Sequence, residues 1–268
     1  MRPAWSEQFD ATLLAPVPRA LPDAVSREWA WGGATGAGID VAIIDSGIDG
    51  AHPLVGGVDS AVAFHFDPDA DDQVAAETGP HDDLFGHGTA CAGIIRRVAP
   101  QCRLHSLRVL GERLTGKGLV FAAALRWAIE HRMHVVNMSL STGKSDYYAI
   151  FHELADLAYF NRVMLVCAVN NVPGPTYPSE YATVFSVAAH ERKDPYGFDV
   201  NPVPPVEFGA PGIEVEVAWS NGRTITSTGN SFAAPHLAGL IALVLSKHPE
   251  LTPSDMKAVL RAIADNSR

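Results

Sequence analysis

Three residue types that together perform nucleophilic catalysis occur in this chain, each inside a short glycine-containing segment. Asp45 lies in VAIIDSGIDG (41–50), His87 in FGHGTACAGI (85–94) and Ser231 in STGNSFAAPHLAG (227–239). A serine hydroxyl becomes a nucleophile when an imidazole takes its proton, and a carboxylate can orient that imidazole and stabilise its charged form. The three segments therefore predict a site that cleaves an acyl bond without a metal or an organic cofactor.

Each of these residues also has a purely structural interpretation. Asp45 begins an Asp-Ser-Gly sequence, which favours a turn. His87 lies between two glycines and could belong to an ordinary loop. Ser231 precedes an apolar helical segment and could cap that helix. A capping serine can still be a nucleophile, so the two interpretations of Ser231 are compatible.

The elements that must position these residues form an alternating pattern of strands and helices. Apolar runs of strand length occur at 41–44, 104–110, 135–140, 163–169 and 184–188. Helical periodicity indicates helices around 121–129 and 150–158, a helix from near His87, an apolar helix over 232–245 and a last helix from 253. This order predicts an α/β fold with three layers, in which a mostly parallel central sheet has helices on both faces. We expect a lead-in segment over residues 1–30, with a short helix near 24–31, and a single domain over 31–268.

The three segments resemble the active-site signatures of the subtilisin-like serine proteases. The order Asp–His–Ser is the subtilisin order, and the run Ser231-Phe232-Ala233-Ala234-Pro235-His236 resembles the nucleophile segment of that family. The resemblance extends from about Trp31 to Ala264. It implies a subtilisin-like fold and a serine endopeptidase that works through an acyl-enzyme.

The resemblance also implies further site residues. Asn170, after the apolar strand, is the expected side-chain donor to the oxyanion, and Asn171 is the alternative register. The expected substrate-binding residues lie in the segment 114–118, which would pair with the substrate backbone as an added strand, and around the primary specificity pocket: they are Thr115, Gly116, Ser139, Leu140, Ser141 and Val169.

Four residues depart from the family pattern. Val169 stands where the family usually has glycine before the oxyanion asparagine, and Ser141-Thr142 follow Leu140 where the family usually has Gly-Gly. Added side chains at these positions predict a narrowed primary pocket and a preference for small residues before the scissile bond, or an unusual substrate. The resemblance also leaves open a dedicated peptide-maturation role. Asn230 replaces the usual threonine before the nucleophile. This departure leaves room for a catalytically weak or silent domain that binds peptides, as the alternative function.

The charge and hydrophobicity of the chain argue against nucleic-acid and membrane partners. A net charge of −10 argues against nucleic acid, and the longest apolar stretch is too short to span a bilayer. We therefore expect a monomer that acts on peptides or proteins. No metal is expected to be required: the segment between Gly93 and Pro100 is too short for the calcium loop common in the family. The acidic run 66–72 could bind a hard cation, but a solvated loop is favoured.

The three cysteines cannot pair completely, and the first ten residues lack the pattern of a secretory signal. These observations predict a cytoplasmic location, with a secreted mature form as the alternative.

Overall fold

The computed structural model describes residues 21–22, 24–70 and 72–267. Most of the predicted lead-in, residues 1–20 and 23, lies outside these ranges. Its described part contains α1 (Arg27–Trp31), inside the predicted 24–31 segment. Ser26 begins this helix by accepting a hydrogen bond from the backbone N–H of Trp29 at 3.1 Å.

A sheet of nine strands runs through the described part of the chain. In chain order the strands are β1 (Asp40–Asp45), β2 (Ser60–Phe66), β3 (Val74–Thr78), β4 (Arg103–Arg108), β5 (Val135–Met138), β6 (Met164–Ala168), β7 (Phe185–His190), β8 (Asp199–Val200) and β9 (Phe208–Pro211). Their order in space is β3-β2-β4-β1-β5-β6-β7-β9-β8. Only the outermost pairs, β2–β3 and β8–β9, are antiparallel. The five predicted strands are β1, β4, β5, β6 and β7, and they form the parallel centre together with β2 and β9.

Five longer helices cover the two faces of this sheet. They are α2 (His87–Val98), α3 (Gly118–Glu130), α4 (Tyr148–Phe160), α5 (Asn230–Lys247) and α6 (Pro253–Ile263). Alternate residues of β1 point to opposite faces, as the pleat of a strand requires. Val41 and Ile43 join the core that contains α2, α5 and α6, whereas Ala42 and Ile44 join the core of α3 and α4. The predicted three-layer α/β fold is therefore confirmed.

A hairpin that the sequence analysis did not predict precedes α5. Its strands are β10 (Val215–Trp219) and β11 (Arg223–Ser227), which pair in antiparallel fashion. Val215 and Val217 pack against Ala90 and Ile94 of α2 and against Phe232 of α5. The hairpin thus covers the side of both helices near their first residues.

The carboxyl ends of the parallel strands gather the chemically important segments. β1 ends at Asp45, and the neighbouring β5 and β6 end at Met138 and Ala168. The segments that follow these strands therefore leave the same edge of the sheet. α2 begins at His87, and α5 begins at Asn230, one residue before Ser231. Such an edge is where open parallel sheets form their ligand sites.

Candidate active site

Asp45 and His87 form a buried hydrogen-bonded pair. His87 Nδ1 lies 2.8 Å from Asp45 Oδ1 and 2.9 Å from Oδ2. An ionised carboxylate only accepts hydrogen bonds, so the proton of the neutral imidazole belongs on Nδ1. Nε2 is then left with a free lone pair, which is the state a general base needs.

The pKa of His87 reflects two opposing effects. Burial of the ring alone would lower this pKa, because it disfavours the charged imidazolium. The carboxylate of Asp45 outweighs burial and raises the pKa of His87 well above its usual value. The site is therefore built to stabilise the imidazolium that forms when the base accepts a proton.

A network around Asp83 fixes the start of α2 and hence the position of His87. Asp83 Oδ1 accepts hydrogen bonds from Ser46 Oγ at 2.7 Å and from the backbone N–H of Gly86 at 2.8 Å. Asp83 Oδ2 accepts from the N–H and the hydroxyl of Thr89 at 2.9 and 2.6 Å. Asp83 thus satisfies free N–H groups at the helix start and links them to the residue after Asp45.

Gly86 is required by both conformation and space. Its φ of 115° lies in the left-handed region that favours glycine. A Cβ atom here would lie 2.8 Å from the ring of Trp219 in β10. Only glycine therefore lets the chain turn into α2 directly at His87.

Ser231 is held in place by the segment that follows β5. Ser139 Oγ donates to the carbonyl oxygen of Ser231 at 2.7 Å, and it accepts from Asn137 Nδ2 at 3.0 Å. Cys91 Sγ, one turn along α2 from His87, lies 3.7 Å from both Ser231 O and Asp45 Oδ2. Three elements thus meet around the predicted nucleophile.

Ser231 Oγ and His87 Nε2 do not form a hydrogen bond within the described residues. Such bonds are often long in unliganded enzymes and tighten when substrate binds. The ring centroids of His87 and Phe232, the residue after Ser231, are 5.4 Å apart, so the imidazole packs beside the start of α5. The base therefore lies close to the segment that carries the predicted nucleophile.

The two asparagines after β6 point to different partners. Asn170 Nδ2 donates to Pro175 O at 2.8 Å. The carboxamide of Asn171 instead lies against the start of α5: its Oδ1 accepts from the N–H of Asn230 at 2.9 Å. A Cβ built on Gly229 would lie 3.2 Å from Ser231 Oγ and 3.6 Å from Asn171 Nδ2. The structure therefore brings Asn171, the alternative register, next to the nucleophile, and not Asn170.

A cleft of about 380 Å³ leads away from His87. Five of the predicted substrate-binding residues line it, namely Thr115, Gly116, Ser139, Leu140 and Ser141. The sixth, Val169, is not among the lining residues. Its N–H donates to Val187 O at 3.1 Å and its own carbonyl accepts from Asn230 Nδ2 at 3.2 Å, so its backbone ties the loop to its neighbours. The lining includes Lys117 and Lys144 and no carboxylate.

Asn170, and not Val169, approaches the opposite wall of the predicted primary pocket. We define this pocket as the gap between residues 139–141, which follow β5, and residues 168–170 at the end of β6. The hydroxyl of Ser141 donates to Asn170 Oδ1 across the gap. Two polar side chains therefore bridge the space beside Ser231.

Comparison with known proteins fits this geometry. A model of the subtilase family matches residues 36–268. The chain belongs to the subtilase family. The resemblance of its three motifs to that family is thereby confirmed.

Curated relatives of this subtilase include several subtilisins. It is 30% identical to a subtilisin from Bacillus pumilus over 87% of its own length and 86% of that protein. It is 30% identical to the minor extracellular protease Epr of Bacillus subtilis (strain 168) over 96% of its own length. The chain spans only 38% of the length of Epr and 62% of subtilisin E from the same strain.

Solved structures show the same fold. A cold adapted subtilisin-like serine proteinase superposes with a TM-score of 0.68 at 25% identity, over 87% of this subtilase and 86% of that chain. The S41 psychrophilic protease gives a TM-score of 0.71 at 25% identity, over 88% and 84% of the two chains.

Two further observations concern metals and membranes. Among the described residues, one group of three possible metal ligands lies within 4.8 Å, and it consists of Asp45, His87 and Cys91. Asp45 and His87 bind each other, and burial raises the pKa of the Cys91 thiol, which disfavours the thiolate that binds metals. No helix in the described ranges is long and apolar enough to cross a bilayer.

Sequence reasoning missed the role of Asp83 and the hydrogen bonds of Asn230, and it ranked Asn171 only as the alternative to Asn170. Asp83 carried a usable signal, because an aspartate four residues before a predicted helix start can accept hydrogen bonds from its free N–H groups. No comparable signal separates Asn170 from Asn171, since both follow the same apolar run. Only the end of β6 and the hydrogen bonds beyond it distinguish them.

Proposed function

We propose that this subtilase is a serine endopeptidase that hydrolyses peptide bonds through an acyl-enzyme on Ser231. The observation that carries the proposal is the buried pair of Asp45 and His87, with 2.8 Å between Nδ1 and Oδ1, next to a serine at the start of α5. The similarity of this chain to a subtilisin over 86% of that protein supports the same conclusion.

The chemistry follows from the position of each group. His87 Nε2 takes the proton of Ser231 as the hydroxyl attacks the scissile carbonyl, and Asp45 stabilises the resulting imidazolium. The protonated imidazole then gives its proton to the leaving amine, and water repeats the sequence to release the acyl group. The N–H of Ser231 at the helix start and Nδ2 of Asn171 are the donors that we assign to the oxyanion. We therefore reassign the oxyanion role from Asn170 to Asn171.

The proposed substrate is a peptide with a small residue before the scissile bond. Ser141 and Asn170 bridge the primary pocket, so a bulky side chain has no space to enter unless this contact opens. A narrow pocket suits the maturation of a particular peptide or protein better than general digestion. We also propose that catalysis needs no metal, so activity should persist after treatment with a chelator.

The relatives bear on location as well. Epr is an extracellular protease by name, which supports the secreted mature form for this chain. The cytoplasmic expectation gains no support from the relatives.

Labelling with a fluorophosphonate probe tests the proposal without knowledge of the substrate. This reagent reacts with serines that are activated as nucleophiles. The wild-type protein should be labelled and the Ser231→Ala variant should not. Thr228→Ala, a substitution of a nearby exposed residue, should retain labelling. A folded wild-type protein that resists labelling would contradict the proposal and favour the peptide-binding alternative.

A further inference from the structure

Asn230 is the residue before the nucleophile, and both polar atoms of its side chain form hydrogen bonds. Its Oδ1 accepts from the N–H of Ala189 in β7 at 2.9 Å. Its Nδ2 donates to the carbonyl oxygens of Val169 and Asn170 at 3.2 and 3.1 Å. One carboxamide thus joins the start of α5 to the ends of two neighbouring strands.

The backbone of Asn230 extends the same link to the proposed oxyanion donor. Its N–H donates to Asn171 Oδ1 at 2.9 Å. Because a carboxamide is planar, holding its oxygen also fixes the direction of its NH₂ group. The side-chain contacts of Asn230 hold the peptide units of residues 169 and 170, while its N–H sets the orientation of the side chain at 171.

We propose that Asn230 is a positioning residue for the oxyanion site and acts through Asn171. The proposal rests on the proposed function, in which Asn171 Nδ2 binds the oxyanion. The loop after β6 is exposed at Asn171 and Val172. Loops of this kind are mobile unless hydrogen bonds hold them. Asn230 provides two such bonds immediately before the donor.

A carboxamide suits position 230 because its single NH₂ group can donate one hydrogen to each of two carbonyl oxygens, those of Val169 and Asn170. An asparagine NH₂ group supplies both and its oxygen remains free to accept. A threonine hydroxyl supplies one hydrogen, and alanine supplies none. The three residues therefore form a graded series at this position.

The expected kinetic effect is on kcat. An oxyanion donor acts in the transition state, so loosening it lowers kcat and leaves KM nearly unchanged. In subtilisin, loss of such a donor costs about 10²–10³-fold in kcat. Asn230→Ala keeps the donor and loses only its alignment, so we expect a smaller loss, about tenfold. Asn230→Thr should fall between alanine and the wild type.

A double-mutant cycle with p-nitrophenyl acetate as the substrate tests the proposal. The small acetyl group avoids the primary pocket, and active-site concentration is set by fluorophosphonate titration. Asn230→Ala should lower kcat about tenfold in the wild-type background and change it less than about twofold in the Asn171→Ala background. A merely structural role would lower kcat by the same factor in both backgrounds. Thr228→Ala is the matched control, because Thr228 Oγ1 accepts from the N–H of Glu214 at 2.8 Å and makes no hydrogen bond to residues 169–171.

The outcomes distinguish the positioning role of Asn230 from the oxyanion role of Asn171. If the two losses are additive, or if Asn230→Ala leaves kcat unchanged, the positioning role is overturned and the oxyanion assignment stands. If Asn171→Ala leaves kcat unchanged, the assignment of Asn171 falls, and the positioning role falls with it. If Asn230→Ala fails to fold, Asn230→Thr replaces it in both backgrounds, with the same criterion of additivity.

Discussion

Opening the primary pocket should change which peptides this subtilase cleaves. The contact between Ser141 and Asn170 closes the gap beside Ser231, and both residues lie on loops after strands rather than in the core. Replacing both with glycine removes about six non-hydrogen atoms, close to the size of a benzyl group. The double substitution should therefore admit a phenylalanine side chain before the scissile bond.

The size of the change follows from the apolar surface that the new side chain buries. Burying a phenylalanine side chain contributes about 1.5–3 kcal/mol relative to leaving it in water. If this energy is realised in the transition state, kcat/KM rises about 10- to 150-fold for the phenylalanine peptide relative to the alanine peptide. The alanine peptide itself should change less than about threefold, since the catalytic groups are untouched.

A matched peptide series, with glycine, alanine, leucine or phenylalanine before the cleaved bond, measures this ratio. Thr228→Ala is the control variant, because Thr228 Oγ1 accepts from the N–H of Glu214 at 2.8 Å and Thr228 is not among the residues that line the cleft. The ratio should not change in this control. Wild-type cleavage after phenylalanine as fast as after alanine, or an unchanged ratio in the double variant, would refute the reasoning.

Three further predictions follow from charges at and near the site. The raised pKa of His87 implies that kcat/KM increases with pH through a midpoint above 6.5, because the base must be neutral. Asp45→Asn should lower that midpoint and reduce kcat about 10⁴-fold, and pH–rate profiles of both proteins measure these changes. Burial lowers the pKa of His236 to about 4, so the unfolded chain takes up a proton first as the pH falls below 6.5. From pH 7 to 4 the wild type should therefore lose about 3 kcal/mol of unfolding free energy relative to His236→Leu. Urea titrations at both pH values measure this, and an unchanged difference would contradict it. Lys144→Glu should raise KM about two- to fivefold for peptides with acidic residues in the cleft, an effect that 0.5 M salt should abolish.

The sequence predicted the parts of the molecule whose chemistry or pattern is unambiguous. Most residues of the five central strands are apolar on both sides, because helices cover both faces, and this pattern is visible without a structure. The strand β4, which contains His105 and Ser106, is the least apolar of the five. The outer strands are different: β3 is largely exposed, and β9 contains a glycine and a proline. Their formation depends on pairing with β2 and β7, which no local pattern encodes.

The same distinction applies to the site. Asp45, His87 and Ser231 stand in motifs that specify a turn, a helix start and a nucleophile. The choice between Asn170 and Asn171 depends instead on where β6 ends. Successive residues of an extended chain point in opposite directions, so a shift of one residue exchanges the oxyanion side with the pocket side. This one-residue difference also explains why Asn170, and not Val169, meets Ser141.

Specificity and turnover can change separately in this arrangement because different atoms of the loop serve each. The carbonyl oxygens of Val169 and Asn170 bind Asn230, and they remain when the side chain at position 170 is replaced. The side chain of Asn170 reaches Ser141 and Pro175, and neither contact touches Asn171. Substitution of Asn170 therefore alters the pocket while the backbone keeps the oxyanion donor in place. Substitution of Asn230 should do the reverse, lowering turnover without widening the range of substrates.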